Sequence, residues 1–160
     1  MALEFTILVG TQTGVAQLVA QEIELRLDGE DTRVKTLMMD ELDPGVFKGG
    51  GLFLVCTSTY GQGDVPDNAK QLYDGLMAQR PDLSGVRYGI VGLGDNGTHA
   101  ATFCFAAKKF DAILAELGAR RIGAPLFNDS CTNLPEDEAA EWIEGWVALC
   151  REELGENVSG

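Results

Sequence analysis

Short apolar runs, each followed by a glycine-bearing polar stretch and then a helical pattern, constrain this chain more than any other feature. Leu3–Val9, Leu52–Cys56 and Val86–Val91 are the clearest runs. They are too short to be buried helices and read as strands, and the unbroken run Leu52–Cys56 predicts one covered on both faces. Between them lie amphipathic stretches. Ala16, Val19, Ile23 and Leu27 mark one face of a helix over Gly14–Leu27, which Asp28-Gly29 stops. A second helix is expected from Pro66 to about Gln79, and a third over Ala101–Leu117, with Ala106, Phe110, Ile113 and Leu117 inward. The last is expected over Glu136–Glu153, with Trp142, Trp146, Leu149 and Cys150 inward. Thr32–Leu37 reads as a less buried strand, Asp40–Gly50 as loop with about one helical turn, and Arg120–Ala124 as a short fifth strand before a long loop over Leu126–Pro135.

Strands alternating with helices predict an α/β fold, a doubly wound five-stranded parallel sheet with helices on both faces. Ligands of such sheets bind outside the carboxyl ends of the strands. The loops after the first, third, fourth and fifth strands carry the glycines, hydroxyls and acids, and all four should open at that edge. One domain is expected over residues 1–153, with 154–160 as a C-terminal tail.

The first of these loops, "GTQTGVA" from Gly10 to Ala16, joins strand to helix. Its backbone N–H groups, the helix start and the side chains of Thr11, Gln12 and Thr13 describe an anion cradle. It contains no Lys or Arg, and the G-x-x-x-x-G-K-[ST] and G-x-G-x-x-G patterns are absent from it. A phosphate monoester held by neutral donors suits it better than a triphosphate. Taken alone, the turn fits a tight connection capped by Thr13 equally well. The second loop, "CTSTYGQGDVPDNA", sets Tyr60 beside Gly61 and Gly63, which suits a flat ring needing one face covered. The third, "GLGDNGTHAATFC", offers glycines and amides for a ring edge.

Other chemistries are excluded or unsupported. A net charge of −13 argues against nucleic acid and anionic membrane as partners. Four scattered cysteines and one histidine make no zinc site. A C-x5-R phosphatase loop fails because Gln62 follows Cys56 at the arginine position. No nucleophile–base set appears. Asp64 and Asp67 read as caps and solvated rim, Cys56 and Cys104 as packing residues, and Lys108 and Lys109 as a solvated helix face. No leader or membrane span is read in the chain, so a cytoplasmic location is expected.

In order along the chain, "GTQTGVA", "STYGQGDVPDNA", "GLGD", "TFCFAAKKFDAILAELGARRI" and Asp129 resemble the flavodoxin family, short-chain flavodoxins and the FMN domains of diflavin reductases above all. The resemblance implies a sheet of order 2-1-3-4-5 and bound FMN. It assigns Thr11, Gln12, Thr13, Gly14, Val15 and Ala16 to the phosphate. Ser58, Thr59, Tyr60, Gly61 and Gly63 would line the isoalloxazine, with Tyr60 stacked on it. Leu93, Gly94, Asp95 and Asn96 would contact the ring or ribityl chain, backed by Phe103 and Cys104, with Asp129 near the ring edge. Two positions depart from the family pattern. Val15 stands where the phosphate turn usually has a hydroxyl, and the third loop lacks a tyrosine that often covers the second ring face; His99 is the candidate replacement.

The implied function is that of an electron carrier, not an enzyme with its own substrate. It would shuttle single electrons from an NAD(P)H-dependent flavodoxin reductase to an acceptor enzyme, docking as a monomer through its acidic surface. A flavin-free binding module and a small FMN-dependent quinone reductase are the alternatives.

Overall fold

A computed structural model describes residues 3–10, 15–29, 32–48, 50–58, 67–94, 105–129 and 134–159. In chain order these form β1 (Leu3–Gly10), α1 (Val15–Leu27), β2 (Thr32–Met38), two short 3-10 turns (Met39–Glu41 and Pro44–Phe47), β3 (Gly51–Ser58), α2 (Asp67–Gln79), β4 (Val86–Gly94), α3 (Phe105–Glu116), β5 (Arg120–Arg121), β6 (Leu126–Asp129) and α4 (Pro135–Ser159). The sheet runs β2-β1-β3-β4-β5, with β6 also on β4, and every pairing is parallel.

Alternate residues of the central strands feed two apolar layers, as a pleated strand requires. Ile7, Val9, Leu54, Cys56, Val91 and Leu93 face α1 and α4, where they meet Val19, Ile23, Ile143 and Trp146. Leu8, Phe53, Val55, Tyr88 and Ile90 face α2 and α3, where they meet Leu72, Leu76, Phe110 and Leu114. Edge strand β2 keeps only Thr32 and Val34 buried and turns Arg33 and Lys35 to solvent. Among the described residues no helix is long and apolar enough to cross a membrane.

The fifth strand position differs from the expectation. Arg120–Ala124 is not one strand, and the expected loop over Leu126–Pro135 begins as strand. Arg121 pairs with Tyr88 while Leu126 pairs with Val91, so the outer edge holds two more residues than β4 over that interval. The excess bulges out at Gly123–Pro125, since Ile122 stays buried and its N–H still donates to the Tyr88 carbonyl at 2.8 Å. Gly123 there has φ of +72°, which a side chain disfavours, and Pro125 offers no N–H to a ladder. Arg121 holds the bulge: its Nε donates to the Gly123 carbonyl at 3.1 Å, and its guanidinium pairs with Asp111 of α3. Asp111 also accepts the buried Tyr88 hydroxyl at 2.6 Å. Burial, then that bond, holds the Tyr88 hydroxyl well above its ordinary pKa. Leu126–Asp129 escaped recognition because only two apolar residues follow the proline.

Two further differences concern α4. Its backbone continues through Ser159, beyond the expected end at Glu153. Leu149, expected inward, is 45% exposed, whereas Trp146 and Cys150 are buried. Glu136, Asp137 and Glu138 occupy its first turn, where the helix dipole favours negative charge.

Candidate functional site

Strand register builds the site. Gly10 of β1 pairs with Thr57 of β3, Thr57 with Gly92 of β4, and Gly92 with Phe127 of β6. Ser58 pairs with Leu93, and Gly94 with Asp129. The carboxyl ends of four strands therefore stand in one row, and each leads into one of the polar loops read from sequence. Because the helices return antiparallel to the strands, their N-termini face the same edge.

Gly10 is the tightest point of this row. A Cβ there would lie 2.6 Å from Thr57 Oγ1, 3.1 Å from Met39 Sδ and 3.2 Å from Ala69 Cβ. Thr57 is fully buried, so it cannot swing aside into solvent. The chain thus enters the first loop pressed against β3, with no room for a side chain. Thr57 and Met39 were not identified as site residues from sequence. Their role is steric and depends on a partner 47 or 29 positions away, of which local pattern carries no trace.

Val15 opens α1 half-buried against the first apolar layer, and Ala16 is fully buried. The first turn of α1 carries no acid, unlike that of α4. Its positive end is therefore uncompensated by a carboxylate of its own, the condition an anion needs. An acid-free helix start of this kind suits a phosphate ester. Leu93 is buried with its side chain in the α1/α4 layer, which leaves only its backbone for the rim. Ser58, Gly94 and Asp129 end their strands on the rim. Thr11, Gln12, Thr13, Gly14, Thr59, Tyr60, Gly61, Gly63, Asp95, Asn96, His99, Phe103 and Cys104 lie outside the described residues.

Two neighbours brace the rim. Asn128, fully buried, donates through Nδ2 to Glu138 Oε1 at 2.8 Å and ties β6 to the first turn of α4. Cys56 donates to the Ala16 carbonyl at 3.6 Å and ties β3 to the start of α1. Burial pushes the Cys56 thiol from 9.0 up to about 12, so it stays neutral and unreactive, as its reading as a packing residue requires. A thiol whose pKa rises on folding adds stability below its unfolded pKa and loses it as pH climbs through the folded value. Native protein at pH 8 is therefore expected to leave Cys56 unalkylated by iodoacetamide, with labelling appearing on unfolding. Mass spectrometry of the alkylated peptides reads this; rapid labelling of native Cys56 would contradict the buried-thiol assignment. Among the described residues no group of acids, cysteines and histidine could hold a metal ion.

Comparison with known proteins agrees with this architecture. A sequence profile described as flavodoxin matches residues 7–142. Protein MioC of Escherichia coli is 36% identical over 149 residues, covering 92% of this chain and 99% of its own. Flavodoxin YqcA of the same organism is 37% identical over 147 residues, covering 91% and 97%. The solved structure of a cysteine-to-serine mutant of flavodoxin from Pseudomonas aeruginosa superposes with a TM-score of 0.80 at 29% identity, covering 92% of this chain and 98% of that one.

Proposed function

Because the chain belongs to the flavodoxin family, we propose that it binds FMN at the carboxyl edge of its sheet and carries single electrons between an NAD(P)H-dependent reductase and an acceptor enzyme. The observation that carries this reading is the row of strand ends at Gly10, Ser58, Gly94 and Asp129, opening beside an acid-free helix N-terminus. FMN supplies one-electron chemistry when bound; the protein binds it, orients it and sets its electrostatic surroundings.

In this reading residues 11–16 hold the phosphate through backbone N–H groups, Thr11, Thr13 and the dipole of α1. Residues 58–63 line one ring face, with Tyr60 as the cover, and Gly61 allows the backbone there to turn. Residues 93–96 and Asp129 take the ring edge and ribityl chain, Phe103 and Cys104 back the third loop, and His99 is the candidate for the second face. The acids at this rim, among them Asp95 and Asp129, oppose added negative charge and so disfavour the most reduced state.

The surface charge supports a directed encounter. Glu136, Asp137 and Glu138 start α4 at the site edge, on a chain of net charge −13. A basic partner surface would be steered to the site end. The monomeric, cytoplasmic carrier expected from sequence is part of the same proposal.

The test is an absorption spectrum of purified protein followed by titration of the stripped chain with FMN. A yellow protein, or saturable uptake at micromolar FMN, is expected. A colourless chain that takes up none overturns the assignment. Val15→Thr should tighten binding by up to about tenfold, since a hydrogen bond to a charged acceptor contributes about 1.5–3 kcal/mol and solvent supplies part of it already. Unchanged or weaker affinity would show that this hydroxyl position is not part of the phosphate grip. Turnover of NAD(P)H with a quinone, without added reductase, would instead identify an enzyme.

A further inference from the structure

Lys108 and Lys109 interrupt the acidic end of the molecule. They lie in and just after the first turn of α3, whose N-terminus faces the carboxyl edge of the sheet, and no acid accompanies them in that turn. Positive charge is unfavourable there. The arginines at positions 26, 33, 80, 120 and 121 each pair with a carboxylate. Neither lysine does so among the described residues, although the chain holds 25 acids. Each ammonium sits on a ring instead: Lys108 Nζ is 5.3 Å from the Phe127 centroid, and Lys109 Nζ is 5.6 Å from that of Phe105. Such contacts fix a cation without neutralising it.

Position gives the pair its meaning. Phe127 lies in the row of strand ends, two residues before Asp129, and Phe105 is 43% exposed at the start of α3. The patch thus combines two oriented positive charges with one exposed aromatic side chain, at the margin of the proposed cofactor edge. At the start of α4 on this pole an approaching carboxylate would meet Glu136, Asp137 and Glu138. We propose that Lys108 and Lys109, seated on Phe127 and Phe105, form an anchor for a carboxylate on the docking face of the redox partner. The partner's surface is then basic over most of its area, with an acidic side chain where it meets α3. The opposed signs select one rotational register, because turning the partner would set its acid against the acids of α4. The role as docking anchor rests on the electron-carrier reading, while the anion affinity of the patch is a property of the chain itself.

Hexacyanochromate(III), a redox-inert paramagnetic anion, tests that affinity. Amide signals of ¹⁵N-labelled protein would be followed at low ionic strength, with and without FMN. Broadening confined to residues 105–109 and 126–128 is expected, suppressed by about 0.5 M salt. Lys108→Gln/Lys109→Gln should reduce it at least about threefold. Lys35→Gln/Lys48→Gln, which removes the same charge from exposed positions on edge strand β2 and just ahead of β3, should leave it intact. Diffuse broadening, broadening centred elsewhere, or persistence in the Lys108/Lys109 variant overturns the proposal. The FMN titration above reports separately on the electron-carrier reading: a chain that binds the anion and not FMN keeps the patch and loses the redox partner.

Discussion

Gly89→Ala should destabilise the fold by about 1–3 kcal/mol, the cost of forcing a methyl group into a filled core. A Cβ at this β4 position would fall 2.4 Å from Trp146 Nε1, 2.5 Å from Cε2 and 2.9 Å from Cζ2. The indole has nowhere to retreat. Trp146 is 2% exposed, meets Phe5 edge-on at 5.1 Å and stacks on Trp142 at 5.9 Å. Gly89 is therefore the slot that lets α4 lie close on the sheet. Trp146→Ala empties the slot and should cost about 3–5 kcal/mol. In that background Gly89→Ala should cost little, because the added methyl enters a cavity. The cycle would then show coupling of about 1 kcal/mol or more. Trp146→Phe should cost less than Trp146→Ala, since it keeps a ring and removes a buried indole N–H that has no acceptor among the described residues. Urea unfolding followed by circular dichroism measures all four variants; additive losses in the double variant would refute the slot.

The second large effect falls on the site. Gly10→Ala should weaken FMN binding at least about tenfold, since a misplacement of about 1 Å at a preorganised site is costly. The new methyl would press on Thr57 Oγ1, Met39 Sδ and Ala69 Cβ together, so β1 must move away from β3 just where the chain enters the phosphate turn. The overall fold should survive with a loss of about 1–3 kcal/mol, because the strain is confined to the last pair of the ladder. Thr57→Ala in the same chain removes the nearest atom and should recover part of the affinity. Fluorescence titration of the stripped variants with FMN measures both. Wild-type affinity in Gly10→Ala would mean that the turn does not depend on this approach.

These two glycines mark what sequence reading could and could not reach. Short apolar runs identified β1, β3 and β4, and three- and four-residue spacing identified the inward faces of α1 and α3. Those signals are local: a residue's side is set by the pleat or turn of its own element. The carboxyl-edge site followed from the same alternation, through the handedness of parallel crossovers. Gly10 was legible only as a turn residue and Gly89 not at all, because their meaning lies in Thr57 and Trp146, far along the chain.

The sequence by itself determined the strand–helix alternation, the doubly wound parallel sheet and the edge at which its polar loops gather, since each follows from periodicities a few residues long. Only the tertiary structure decided the rest. It split the fifth strand at the Gly123 bulge, turned Leu149 outward, pressed Gly10 and Gly89 against their neighbours, and set Lys108 on Phe127. These are facts about which distant atoms meet, and close packing fixes them to fractions of an ångström that no local pattern encodes.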